Sequence, residues 1–349
     1  MLLAVAAERV LTQRELNRAV LARQLLLERA RTPIPRALER VGGIQAQYAP
    51  SMYVGLWSRL EGFEREHLTR ALERRTVVQA TLMRATIHLV SRRDFWPMAL
   101  AVADERRRWF AHVARPGPDA EAMRAAAELL RERLRDGTLR RREIDELLGR
   151  DRAQAVGLWL DLVRAPPSGT WERRRADLYA AAEEWLGPPG TTAPEGLELL
   201  VRRHLTAFGP TARTDVAGWA GLPVGLVTPV IERVAPRRFR GPGGEELVDL
   251  PRAPLPHPES PAPPRFLPTW DATLLVHARR TGILPERHRP RIFNTKMPQS
   301  VATFLVDGAV AGTWRHESGR IALHPFEPLD AADRRALDEE AERLAAFHA

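Results

Sequence analysis

Two glutamines stand one residue apart in the stretch GGIQAQYAP, where Gln45 and Gln47 follow a double-glycine break. Each amide carries a carbonyl acceptor and two N–H donors, so a pair facing the same way can hold a water by a lone pair and a proton without either member titrating. In an extended segment the two-residue period sends both side chains to one side. The plainer reading is that both amides satisfy backbone groups beyond a helix end. A second polar group, Arg84, Thr86 and His88, falls on one face of LMRATIHLV, residues 82–90, with Met83, Ala85, Ile87 and Leu89 on the other. That polar face suits DNA or a site, while a partly buried histidine on a wing strand is the alternative. The scattered histidines lack the spacing of a metal site, and no glycine-rich phosphate loop is present, so neither metal nor cofactor is implied.

These residues need elements to hold them. Thr12 with Glu15 makes a capping box stapled by Leu11 and Leu16, opening a helix through Leu27. A second helix starts at Thr32 with Pro33 in its first turn and stops at Gly42-Gly43. Residues 66–75 read as a helix and 82–90 as a strand, and Ser91 with Asp94 opens another helix through Trp96 and Trp109. Three helices followed by a strand are the order of a winged helix. The same grammar returns with a helix over 141–148, a second ending near Arg164, and a wing in PPSGTWERRRADLYA anchored by Trp171 and Tyr179. It returns again with a long helix, a Gly209-Pro210 break, a helix capped by Thr214, another over 224–234 and a hairpin around 241–244. The expected architecture is α+β: three tandem winged-helix units over 1–115, 116–190 and 191–250, then a C-terminal β-rich domain over 265–349. A proline-rich linker, 251–264, separates the two parts. Asp307-Gly308 marks a tight hairpin, and 331–347 forms a terminal amphipathic helix.

The 349 residues carry a net charge of +9, which favours a polyanionic partner. Nearly all the basic side chains are arginine, the single lysine being Lys296. No apolar run approaches the roughly 20 residues of a membrane span, and the N-terminal stretch is too short and too soon charged for a secretory signal, so a cytoplasmic protein is expected. The absence of cysteine excludes disulfides and thiolate metal sites. Winged helices most often bind duplex DNA, which makes a noncatalytic transcription regulator the first reading of the helix grammar. Three modules in one chain point instead to a monomer built around its target.

The sequence also resembles a known family, the AlkZ-like winged-helix DNA glycosylases. The likeness is carried by GGIQAQYAP, by GLWSRL at 55–60, MRATIHLV at 83–90, RRHLTAFGP at 202–210, LPTWDATLLVHARR at 267–280 and LVDGAVAGTWR at 305–315. It implies three winged helices and a β domain, and a catalytic pair written glutamine, aliphatic, glutamine. Gln45 and Gln47 match that pair, with the small Ala46 between them. The resemblance implies a monofunctional DNA glycosylase acting on double-stranded DNA with N7-alkylguanine, including bulky adducts or interstrand crosslinks, in DNA repair and antibiotic self-resistance in bacteria. Asp271, in LPTWD, either assists electrostatically near C1′ or caps a turn. The resemblance also implies a β-hairpin within 277–296 that reaches the duplex, placing Arg279, Arg280, Arg287, Arg289 and Arg291 against phosphates alongside the candidate DNA contacts Arg84 and His88, with a solvated basic loop as the alternative.

Overall fold

A computed structural model describes residues 9–113, 119–235, 237–276, 281–293 and 300–349. The fold is α+β, and its contacts divide the chain into two compact units. One comprises Ala30–Leu200 with Trp219–Leu222; the other comprises Met1–Arg29, Val201–Gly218 and Pro223–Ala349. This division differs from the segmentation at 115, 190 and 250, because the first helix packs with the C-terminal unit.

In the first unit the strands are β1 (Ile44–Gln45), β2 (Val77–Thr81), β3 (Ile87–Ser91), β4 (Leu139–Arg140), β5 (Leu162–Arg164) and β6 (Leu178–Ala181). They form one six-stranded sheet in the order β1-β3-β2-β5-β6-β4. Segments assigned by sequence to two separate units are thus joined in one sheet, through Ala80 opposite Val163. The 82–90 segment is not a single strand. Val77–Thr81 pairs antiparallel with Ile87–Ser91, and Met83–Ala85 makes a 3-10 turn between them in which Arg84 and Ala85 take φ values of 53° and 54°. The strongly apolar β2 precedes the segment, so the chain must reverse where continued extension was expected. The middle helix does not run to Arg164. Helix Arg150–Ala155 and a 3-10 turn, Val156–Leu158, give way to β5, whose Val163 is fully buried and whose backbone is satisfied by β6. Helices Ala120–Leu134 and Arg141–Leu148 close this region over a core of Met123, Leu130, Leu134, Ile144 and Leu148. Ser91 caps helix Arg92–Val113 as expected, its hydroxyl accepting the Asp94 N–H at 3.1 Å.

The second unit opens with helix Gln13–Arg23, and the Thr12 capping box is complete. Helix Arg213–Ala220 begins before Thr214, so Thr214 is not its cap; the Asp215 carboxylate instead accepts the Ala212 N–H at 3.3 Å. β7 (Arg237–Arg240) and β8 (Glu246–Asp249) form the expected hairpin. Behind it the guanidinium of Arg23 grips the Asp249 carboxylate in a buried bidentate pair, at 2.8 and 2.9 Å. Gly209 is required there, since a Cβ would fall 2.5 Å from Arg23 Nη1 and 2.6 Å from Asp249 Oδ1. β9 (Arg265–Leu267), β10 (Thr303–Val306), β11 (Ala309–Glu317) and β12 (Arg320–Pro325) form a four-stranded sheet ordered β12-β11-β10-β9. Asp307 and Gly308, both at positive φ, make the turn between β10 and β11. Helix Ala331–His348 is capped by Asp330. Within 277–296, the described residues 281–293 contain no strand. Pro285 and Pro290 withhold the N–H groups a ladder needs, and Glu286–His288 and Arg289–Ile292 are short helical turns. Among the described residues no helix is long and apolar enough to cross a membrane.

Candidate active site

Helix Ile34–Val41 ends on Gly42 in the left-handed conformation, and Gly43 is left-handed as well. A Cβ on Gly43 would lie 3.0 Å from Val90 Cγ1, so only glycine at this position lets the chain settle against β3. β1 then pairs Ile44 with Leu89 and Gln45 with His88, and Ala46 N–H donates to the Ile87 carbonyl at 2.8 Å. There the strand ends. Gln45 is buried, at 6% exposure, whereas Gln47 is exposed in a bend that leads through Tyr48 into helix Ala49–Trp57. A common face for the pair, expected from an extended run, is therefore not imposed by the strand.

Two side chains from the neighbouring hairpin hold this segment. Gln79, in the middle of β2 and 1% exposed, donates from Nε2 to the Ala46 carbonyl at 3.3 Å, which anchors the residue between the two glutamines. Gly169 accommodates it, because a Cβ there would sit 2.5 Å from Gln79 Oε1. Sequence reasoning passed over Gln79; the available signal was an uncharged amide inside the otherwise apolar VVQAT. Arg84 donates from Nη2 to Gln45 Oε1 at 3.2 Å and from Nη1 to the Trp219 carbonyl, in the last turn of helix Arg213–Ala220. Carbonyls there lack intrahelical partners and carry the negative end of the helix dipole. Gly221, at φ 72°, lets this turn approach, as its Cβ would lie 3.0 Å from Arg84 N. The guanidinium expected to meet DNA is thus committed to a catalytic candidate.

The electrostatics follow from burial. Desolvation pulls the Arg84 pKa down to about 10, leaving it charged at neutral pH. His88 is pushed down to about 3, by burial first and then by the Arg84 charge, so its imidazole is neutral. Its Nδ1 lies 3.0 Å from the Thr86 carbonyl, which can only accept; Nδ1 therefore carries the proton. Beside this group, Tyr48 is 47% exposed and its hydroxyl accepts from Arg174 at 3.4 Å. Trp171, one of the expected wing anchors, is buried edge-on against Tyr53, with the Arg65 and Arg174 guanidinium groups 5.1 and 5.7 Å from its ring.

The remaining candidates belong to the other unit. Asp271 is 5% exposed, and its Oδ1 accepts from the Thr273 N–H at 3.1 Å and hydroxyl at 2.7 Å, the turn-capping alternative of the two. Arg287 is exposed and paired with Glu327 at 2.9 Å. The Arg289 and Arg291 guanidinium groups lie 5.5 and 4.9 Å from the rings of Phe293 and Phe326. Arg279, Arg280 and Lys296 lie outside the described residues. Among the described residues, no cluster of three or more His, Asp or Glu side chains could hold a metal ion.

The family model described as DNA glycosylase AlkZ-like matches residues 38–347. The fold is similar to that of Streptomyces sahachiroi DNA glycosylase AlkZ, with a TM-score of 0.80 at 17% identity over 97% of each chain. No curated protein matches the sequence significantly.

Proposed function

Because the chain belongs to the AlkZ-like DNA glycosylase family, we propose that it hydrolyses the N-glycosidic bond of N7-alkylguanine in duplex DNA, with Gln45 and Gln47 as the catalytic pair. The membership makes it a DNA glycosylase and sets aside the noncatalytic regulator. The reading of the substrate rests on one observation: the buried Gln45 amide is held by Arg84 beside a neutral His88. Neither neighbour is a useful general acid at neutral pH, since the imidazole has no proton to spare and the guanidinium holds its own too tightly.

N7-alkylguanine needs no such acid. The alkylated base is already cationic and departs as a neutral molecule, which leaves the enzyme to position a water beneath C1′ and to accommodate a cation-like sugar. Arg84 fixes which end of the Gln45 amide is oxygen and stops it from flipping, so its remaining lone pair and N–H donors hold constant positions. Gln47, exposed at the adjacent bend, is the second partner for the water and the sugar. Unmodified purines, which leave only with acid assistance, are spared by the same chemistry.

Exposure of Gln47 and Tyr48 suits a bulky adduct or an interstrand crosslink from an alkylating natural product, because the reacting atom is met at a surface. Such a substrate would fit a role in genotoxin resistance. In this reading the helical segments before residue 250 act as three winged-helix modules of a monomer. Arg279, Arg280, Arg287, Arg289 and Arg291 contact phosphates. The exposed Arg287–Glu327 pair is the kind of weak surface ion pair that a phosphate can replace. The test is chromatography of bases released from methylated duplex DNA. The expected result is 7-methylguanine with unmodified guanine retained; no 7-methylguanine under excess enzyme would refute the substrate.

A further inference from the structure

Away from Gln45, a cavity of about 90 Å³ lies between the large sheet and the helices Arg141–Leu148 and Arg150–Ala155. Its polar lining comprises Arg164 on β5, Tyr179 on β6, Arg141, Thr81 and Gln154, with Ile144 and Leu162 as apolar walls. Arg164 and Tyr179 face each other across the β5–β6 ladder, the guanidinium 5.5 Å from the ring centroid. Arg164 Nε is sealed from solvent without a hydrogen-bond partner, and no carboxylate among the described residues pairs with the group. Burial lowers its pKa, and Tyr179 alone opposes that effect. The second cation of the cavity, Arg141, is already tied to Asp145 at 2.7 Å. Gln154 is exposed and forms a rim reachable from solvent.

A charge taken out of water without a counter-charge is unfavourable, and an anion that enters the cavity removes that deficit. A guanidinium presents a planar fork of donors that matches the oxygens of a phosphate. The Thr81 and Tyr179 hydroxyls and the Gln154 amide add neutral donors around it. The cavity, about 90 Å³, has room for a few waters, enough for a tetrahedral oxyanion. We propose that this cavity is an oxyanion site that takes a phosphate group, from the backbone of bound DNA or as a free phosphate, with Arg164 as its principal ligand.

The full-length protein tests this through the salt dependence of its binding to unmodified duplex DNA, in wild type, Arg164→Met and Gln154→Glu. Gln154→Glu sets a carboxylate at the exposed rim, so it keeps the test alive if Arg164→Met fails to fold. If a backbone phosphate occupies the cavity, each variant lowers the slope of log affinity against log salt by about 0.9. In a second arm, inorganic phosphate is titrated at constant ionic strength, and a rise in thermal midpoint that is present in wild type and lost in the variants identifies free phosphate as the occupant. Either result supports the site and names its source. Unchanged slopes together with equal phosphate responses in folded Gln154→Glu overturn it. The measurements use undamaged DNA, so their failure leaves the excision chemistry untouched.

Discussion

Replacing Arg84 with Met separates two roles for this residue. The substitution keeps an unbranched apolar stem but removes the donors to Gln45 Oε1 and to the Trp219 carbonyl. At 3.2 Å the bond to Gln45 is at the long edge of the N–H···O range, so the low end of the roughly 1.5–3 kcal/mol for a charged hydrogen bond applies. If about 1.5 kcal/mol of orientation is lost in the transition state, excision slows about tenfold. The freed helix-end carbonyl adds about 1–2 kcal/mol of instability, and the left-handed backbone at φ 53° is not relieved, because Met tolerates it no better than Arg. Single-turnover excision of 7-methylguanine, with enzyme in excess over a lesion-bearing duplex, measures the rate; the salt dependence of DNA affinity measures phosphate contact. The expected outcome is a rate about tenfold lower, an unchanged salt slope, and little further loss when Arg84→Met is added to Gln45→Ala, because the two act as one unit. An unchanged rate with a slope reduced by about 0.9 would instead make Arg84 a phosphate ligand, as its place on the polar face of residues 82–90 first suggested.

Other parts of the site give further expectations. Gln79→Met keeps the length of the side chain but loses the donor to the Ala46 carbonyl, so single-turnover excision should fall several-fold while DNA affinity holds; a rate equal to wild type would show that Ala46 stays in place without it. The unfolded chain protonates His88 below about pH 6.5 whereas the folded protein does so only near 3. Stability from this group is complete above 6.5 and is lost as pH falls through that window, by about 1.4 kcal/mol at pH 5.5. Urea unfolding at pH 7 and 5.5 should show a pH-dependent loss smaller by that amount in His88→Gln; equal losses would contradict the buried neutral imidazole. With water as nucleophile, borohydride should trap no covalent complex on lesion-bearing DNA, and a trapped adduct that vanishes in Lys296→Ala would make the lone lysine the nucleophile.

Much of the frame was legible because local chemistry decides it. The Thr12 capping box, the Asp307-Gly308 turn and the Gly42-Gly43 helix stop each depend on side chains within a few residues, and each forms as read. The errors arose where a distant partner decides. Residues 82–90 alternate like a strand, but pairing with β2 turns their first half into a tight reversal. Residues 162–164 continue a helical pattern until β6 claims them. The link from Ala80 to Val163 depends on tertiary packing that no local pattern announces. The same holds at the site. Gln45 and Gln47 stand out by spacing, yet Gln45 is held by Arg84, itself tied to the distant Trp219 carbonyl, and Ala46 between them is held by Gln79. For Arg287, Arg289 and Arg291 the sequence revealed charge but not that one is paired and two lie against aromatic rings.

The central claim, that two amides carry out hydrolysis, is tested most directly by single-turnover release of 7-methylguanine from duplex DNA by Gln45→Ala and Gln47→Ala, with DNA affinity measured in parallel. Loss of one preorganised polar group typically lowers a rate by about 10²–10³-fold. The account predicts a fall of about 10²-fold or more for each variant with affinity nearly unchanged, while full activity in both would contradict it.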